Sequence, residues 1–260
     1  MPTKLGQNFL RDKSIIEKII AAADLKSDDF VIEIGPGEGI LTEELSKRAG
    51  KVAAVEIDSE LCSLLRNKFS NKKNVEIVEG DILRINIKEL IGSQKKYKVI
   101  GNIPYYITSP IIRLFLEVEF PPKEMILMVQ KEMAERIVEK PGKMSILAVS
   151  VQYYAKPELL FKVSRQAFEP MPEVDSAVIR LTYNLQPTTY NRDEVKRFFQ
   201  VVRAGFSAKR KMLINNLSGS FHLDKKETEE KLKKAGINPT ARAQELSIAD
   251  WKKMAEIFFK

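Results

Sequence analysis

Asn102-Ile103-Pro104-Tyr105 puts a carboxamide beside a phenol ring, directly after the apolar run Tyr97–Gly101. That pairing suits an exocyclic amine on a purine. Such an amine is a poor nucleophile, because its lone pair is conjugated into the ring. Two acceptors, the Asn102 side-chain oxygen and the Ile103 carbonyl, would hold its N–H groups and favour a tetrahedral nitrogen. This is positioning and electrostatic stabilisation rather than strong-base chemistry. Pro104 would stiffen the turn, and Tyr105 would stack on a base drawn out of its strand. In isolation the tetrapeptide also reads as a turn whose Asn satisfies its own backbone.

A second stretch, Glu33-Ile34-Gly35-Pro36-Gly37-Glu38-Gly39, supplies the surroundings. Gly35, Gly37 and Gly39 fall where a buried strand must reverse into a helix. Glycine tolerates positive φ and lets the backbone approach a ligand closely, and the helix start offers free N–H groups. A dinucleotide fingerprint needs glycine at the first, third and sixth positions. The sixth position here is Ile40, so that pattern fails. Glu56 ends the next apolar run, where a carboxylate can accept from both hydroxyls of a ribose, whether of NAD or of S-adenosylmethionine. Asp81 follows a third run, in Val78-Glu79-Gly80-Asp81-Ile82. There it can accept from an adenine amino group while Ile82 packs on the ring. Three consecutive strand ends, each fitted to one part of an adenosine, suit either cofactor; together with Asn102–Tyr105, in this order and spacing, they point to methyl transfer onto adenine N6.

Other chemistries fall away. Cytosine-C5 transfer needs a nucleophilic cysteine, and the single cysteine, Cys62, lies in a helical pattern between Leu61 and Leu64. With His222 the only histidine, no histidine-rich metal cluster or Ser-His dyad is expected. The segment Phe168-Glu169-Pro170-Met171-Pro172-Glu173-Val174-Asp175-Ser176 is irregular and held extended by two prolines. Phe168 there either covers the other face of the target base or fills the core.

The elements that must position these groups are legible as β-branched runs at Phe30–Ile34, Lys51–Glu56, Val75–Glu79, Tyr97–Gly101 and Glu124–Val129, with helical patterns between them. Strands alternating with helices predict an α/β fold with a parallel sheet covered on both sides. Ligands in such sheets bind at the carboxyl ends of the strands. Asp12 caps a predicted packing helix striped by Ile15, Ile16, Ile19, Ile20 and Ala23. Leu5–Leu10, ahead of it, has no structural period. Ala177–Tyr183 reads as the last strand, Asn184–Pro187 as a turn, and everything from Arg192 as helical. The expected division is therefore 1–185 and 186–260.

Composition narrows the setting. At 44% hydrophobic and 30% charged, the chain reads as an ordinary globular protein. No apolar run approaches the roughly 20 residues needed to span a bilayer, and Met1–Leu5 lacks the apolar stretch of a secretory signal. One cysteine makes a reducing cytoplasm the simplest setting. The charge is lopsided: residues 186–260 carry 16 Lys and Arg against 9 Asp and Glu, so most of the net +8 lies there. A small basic unit beside a nearly neutral one suggests a polyanionic partner. Arg203, Lys209, Arg210 and Lys211, with Phe206 among them, suit a phosphate backbone with stacking nearby. Trp251, Ile257, Phe258 and Phe259 read as core.

With these residues in hand, the chain resembles the ribosomal RNA adenine N6-dimethyltransferases, most of all their small-subunit branch. The resemblance rests on Gly6–Leu10, Glu33–Gly39, Asn102–Thr108, Phe168–Val178 and Arg242-Ala243-Gln244-Glu245. It implies a Rossmann-like S-adenosylmethionine-dependent methyltransferase domain followed by a small all-helical domain. It implies two methylations on each of two adjacent adenines near the 3′ end of small-subunit rRNA, within a pre-30S-type particle late in ribosome assembly. By the same resemblance Asn8, Leu10 and Ile57 would join Gly35, Gly37, Glu56, Asp81, Ile82 and Asn102 around the cofactor. Asn102, Ile103, Pro104, Tyr105 and Phe168 would serve the target base. No metal or membrane is implied, and a cytoplasmic monomer is expected. The rivals are a large-subunit rRNA enzyme of the antibiotic-resistance branch, a DNA adenine methyltransferase, and a non-catalytic RNA-binding assembly factor that retains the fold.

Overall fold

The computed structural model describes residues 8–94, 96–184 and 191–259. The chain opens with β1 (Phe9–Leu10), α1 (Lys13–Ala23), β2 (Phe30–Ile34), α2 (Ile40–Ser46), β3 (Lys51–Glu56), α3 (Ser59–Lys68) and β4 (Val75–Glu79). It continues through α4 (Ile87–Ile91), β5 (Lys98–Asn102), α5 (Thr108–Glu117), β6 (Glu124–Gln130), α6 (Lys131–Ile137), α7 (Ile146–Tyr154) and β7 (Ala155–Val163). Then follow β8 (Phe168–Glu169), β9 (Ser176–Tyr183), α8 (Arg192–Gly205), α9 (Leu213–Phe221), α10 (Lys225–Lys234) and α11 (Ile248–Phe258).

Seven strands form one sheet in the order β4-β3-β2-β5-β6-β9-β7. All five residues of β2 are buried, the signature of a central strand covered on both faces. The chain steps outward from β2 to β4, then returns to place β5 on the other side of β2. This reversal opens a crevice at the carboxyl ends of β2 and β5, where Ile34 pairs with Gly101. Gly101 admits that approach, because a Cβ there would meet the Ile34 carbonyl oxygen at 2.7 Å.

Two features differ from the sequence expectation. The sheet is mixed, since β9 runs antiparallel to both β6 and β7. The strand β7 is not among the expected strands; its Pro157, poorly suited to a strand interior, is tolerated because β7 is the edge. A separate ribbon pairs β1 with β8, Phe9 opposite Glu169 and Leu10 opposite Phe168.

The expected cap forms: Asp12 accepts from the Ser14 N–H at 2.9 Å, and the isoleucine stripe of α1 is buried. Beneath the sheet's opposite end, the ammonium of buried Lys98 donates to the Ala23 carbonyl at 2.7 Å and pairs with Asp29 and Glu124. It thereby takes up a carbonyl at the end of α1.

The described residues divide into two compact units, 8–134 with 155–184, and 135–154 with 191–259. The sequence expectation was a continuous first domain over 1–185; among the described residues, 135–154 groups with the helical unit. Tyr153 of α7 packs on Phe198 and Phe199 of α8, at 4.1 and 5.3 Å between ring centroids. The expected boundary at 186, most of the turn at 184–187, and Gly6 and Gln7 lie outside the described residues. In the second unit Trp251 and Phe258 are buried as expected, while Ile257 is only partly so.

Candidate active site

At the carboxyl ends of β2 to β5 lies a cavity of about 410 Å³. It is lined by Asn8, Leu10, Gly35, Gly37, Glu56, Ile57, Asp81 and Ile82, and also by Asn102, Ile103, Pro104, Tyr105 and Phe168. Thirteen residues singled out from widely separated segments therefore meet in one place.

The glycines divide their work. Gly35 and Gly37 line the cavity with positive φ, +65° and +57°. A Cβ on Gly37 would sit 3.0 Å from the Phe9 ring, so the glycine lets the β1 segment lie against the turn. Gly39 does not line the cavity. It caps α2 in the left-handed region, and a Cβ there would stand 2.6 Å from Leu65. Its role is packing against α3.

Backbone donors hold the Glu56 carboxylate. Oε2 accepts from Gly37 N–H at 3.1 Å, and Oε1 accepts from Ile57 and Asp58 N–H at 2.9 and 3.1 Å. A carboxylate offers about four lone-pair directions, so the fixed group retains capacity for further donors. Asp81 Oδ1 accepts from Leu83 N–H at 3.0 Å, a local turn that fixes the side chain, and Ile82 beside it is buried.

Asn102 is anchored from the N-terminal segment. Its Nδ2 donates to the Asn8 carbonyl at 3.1 Å, and among the described residues no hydrogen bond is found to Oδ1. The amide is thus turned with its nitrogen engaged and its oxygen available. Ile103 N–H donates to the Met128 carbonyl at 3.1 Å, which fixes the next peptide. The Pro104 carbonyl accepts from Ile107 N–H at 3.1 Å and closes a single 3₁₀ turn over Tyr105–Ile107. Tyr105 Oη hydrogen-bonds Ser176 Oγ at 2.9 Å. Phe168 both lines the cavity and belongs to the core beside Ile16 and Ile19, at 5% exposure. It is a core side chain and a wall of the cavity at once.

Glu33, the one charged residue inside buried β2, has no role on the sequence pattern alone. It lines the cavity at 1% exposure, and its Oε2 has no hydrogen-bond partner. Burial pushes its carboxyl up to about 8; the Thr42 hydroxyl opposes this, the Glu56 charge adds to it, and Lys68 opposes it. Thr42 Oγ1 is near enough to favour the charged form but makes no hydrogen bond of normal geometry. A carboxylate inside an apolar strand was the available signal. The structure also adds Arg11, which pairs with Glu38 and Glu169 and fastens β1 to the glycine turn and to β8.

Cys62 is buried, and burial pushes its thiol up, the opposite of an activated nucleophile. In the second unit Arg203 lies in the last turn of α8, and Lys209, Arg210 and Lys211 lie between α8 and α9; all four are exposed. The ion pairs found among the described residues include none of them. Phe206 is partly buried, with its ring stacked on Trp251 at 5.5 Å between centroids. Asn216 fixes the same turn by donating to the Gly205 and Ala208 carbonyls at 2.6 and 3.0 Å. Among the described residues no helix is long and apolar enough to cross a membrane, and no three acidic, His or Cys side chains gather as a metal site.

A glycine turn, two acid-ended strands and an Asn-Ile-Pro-Tyr corner at the reversal of an α/β sheet, in a chain with a helical C-terminal region, define a Rossmann-like methyltransferase. Comparison with known proteins narrows the class. The family model for ribosomal RNA adenine dimethylase matches residues 1–260. A ribosomal RNA small subunit methyltransferase A from Dehalococcoides mccartyi is 45% identical over 250 residues, covering 96% of this chain and 86% of the relative. The protein of the same name from Pelotomaculum thermopropionicum is 45% identical, covering 98% and 90%. Among solved structures, a dimethyladenosine transferase from Plasmodium falciparum superposes with a TM-score of 0.81 at 29% identity, covering 95% of each chain. The 23S rRNA methyltransferase ErmE superposes with a TM-score of 0.78 at 31% identity, covering 97% of this chain and all of that one. The chain belongs to the ribosomal RNA adenine dimethylase family.

Proposed function

We propose that this protein dimethylates N6 of two adjacent adenines near the 3′ end of small-subunit rRNA, with S-adenosylmethionine as donor, during late assembly of the small subunit. The observation that carries the reading is the convergence of Asn102 and Tyr105 with the Gly35–Gly37 turn in one cavity. Support for the small-subunit target comes from the names of the relatives at 40–45% identity. The likeness to ErmE is what a large-subunit reading would rest on, at 31% identity.

The residues present fit the donor. The unpartnered carboxylate oxygen of Glu33, buried in the cavity wall, suits a cationic group. Glu56 would hold the ribose hydroxyls, Asp81 the adenine amino group with Ile82 and Ile57 against the ring, and Gly35, Gly37, Asn8 and Leu10 the remaining walls. When bound, the cofactor supplies an electrophilic methyl on a sulfonium. The chain's own contribution is orientation. Asn102 Oδ1 and the Ile103 carbonyl accept from the target amine and draw its nitrogen toward tetrahedral geometry, while Tyr105 and Phe168 flank the base. The Asn8 carbonyl, by engaging Nδ2, presents the oxygen rather than the nitrogen of the Asn102 amide. Arg203, Lys209, Arg210 and Lys211 would bind the phosphate backbone of the pre-30S-type particle. The protein would act as a cytoplasmic monomer.

Asn102→Ala is expected to abolish methyl transfer to small-subunit particles while leaving thermal unfolding and cofactor affinity within a few-fold of wild type. Near-normal transfer by that variant would remove Asn102 as the amine acceptor.

A further inference from the structure

Tyr105 stands in a single 3₁₀ turn and is only partly buried, so local structure alone does not fix its ring. One contact at the far end of the ring does. Its hydroxyl lies 2.9 Å from Ser176 Oγ, 71 residues away in sequence. Ser176 is among the best-held residues of the first unit. It is fully buried at 0% exposure and begins β9, paired on one side with Gln130 of β6 and on the other with Val163 of β7. Just before it, Asp175 accepts from Lys131 N–H through its carbonyl at 3.0 Å, and from Arg165 N–H through Oδ1 at 3.1 Å. Arg165 also reaches the Glu173 carbonyl at 3.2 Å. The segment that carries Phe168 thus ends in a hydroxyl pinned between two strands, and that hydroxyl holds Tyr105.

We infer that Ser176 is a positioning residue for the target base, its hydroxyl setting the plane of the Tyr105 ring against which the base stacks. This rests on the reading of Tyr105 as a wall of the base site. Without the hydrogen bond the ring keeps its area but gains freedom about its side-chain torsions, so base capture weakens while cofactor contacts are untouched. Removing one neutral hydrogen bond is expected to cost about five- to tenfold in capture.

The test uses small-subunit particles carrying 2-aminopurine at the target adenine, with the fluorescence change on binding read without cofactor. Transfer rates on particles with adenine at the target position, and cofactor affinity, are measured in parallel. Ser176→Ala and Tyr105→Phe are expected to weaken the binding signal and raise KM for the particle by a similar factor, with cofactor affinity unchanged. Because they delete the same bond from opposite ends, the double variant should be no worse than either alone. Effects that multiply in the double variant, or a Ser176→Ala protein indistinguishable from wild type, would overturn the positioning role. Tyr105→Ala separates the two levels of the argument. A larger loss of signal than Tyr105→Phe upholds the ring as the base wall, whereas no loss would overturn that wall and the positioning role with it.

Discussion

Replacing Glu33 with glutamine should stabilise this protein at alkaline pH while weakening its grip on the cofactor. The carboxyl titrates at 4.5 when exposed, and burial is the first reason it is pushed up to about 8 in the fold. Between those values the native chain holds a proton that the unfolded chain has released. The stability tied to this group is therefore fully present below about pH 4.5. It falls as the pH rises toward 8, and no further loss follows once both states are ionised. At roughly 1.4 kcal/mol per pH unit, the span from 4.5 to about 8 amounts to about 5 kcal/mol as an upper bound. Glutamine has nearly the same shape and does not titrate. In urea unfolding without cofactor, the two proteins should be similar near pH 5, and the variant should be more stable by several kcal/mol at pH 8. A calorimetric titration at pH 8 should show the reverse order for S-adenosylmethionine, because the variant has no charge to offer a cation. A stability difference that stays constant from pH 5 to 8 would refute the buried-acid reasoning. Undiminished cofactor affinity would remove Glu33 from the donor site.

Three further outcomes follow from the geometry. Lys98→Ala takes the buried ammonium from Asp29 and Glu124, leaving Asp29 the Lys26 N–H and Glu124 the more distant Arg180, and frees the Ala23 carbonyl, so it should cost about 3 kcal/mol in denaturant unfolding; a loss under 1 kcal/mol would show the network is solvated. Gly37→Ala puts a side chain at φ +57° and 3.0 Å from the Phe9 ring. It should cost about 1–2 kcal/mol in stability and about tenfold or more in cofactor affinity, and calorimetry that finds wild-type binding would contradict the close approach. Converting Lys209, Arg210 and Lys211 together to Ala should weaken particle binding and reduce the slope of log K against log salt by about 2, at roughly 0.7 to 0.9 per lost phosphate contact. An unchanged slope places the phosphate contacts elsewhere.

The parts of the molecule that follow from local pattern were legible in its sequence. The strands β2 to β6 appear as β-branched runs because a doubly covered sheet demands apolar residues without alternation, and their order let three strand ends be assigned to one ligand. The strand β7 was not legible: Lys156, Pro157 and Glu158 carry no sheet signal, and only a position at the edge makes them acceptable. Tertiary choices were equally hidden. Nothing local shows that residues 135–154 pack with the C-terminal helices, or that Phe206 is occupied by Trp251. Within the site, groups that touch a ligand were read from residue type and spacing. Groups that act on other side chains were missed, because the Asn8 carbonyl on Asn102 and the Ser176 hydroxyl on Tyr105 bridge 94 and 71 residues. Glu33 lay within reach, since a carboxylate in Phe-Val-Ile-Glu-Ile has no structural use.

Primer extension across small-subunit rRNA, after treating unmodified particles with this protein and S-adenosylmethionine, bears most directly on the proposed activity. Strong stops are expected at two adjacent adenines near the 3′ end, absent with Asn102→Ala, and N6,N6-dimethyladenosine in the digested nucleosides. Methylation confined to large-subunit rRNA, or none on either rRNA from a folded protein that binds the cofactor, would contradict it.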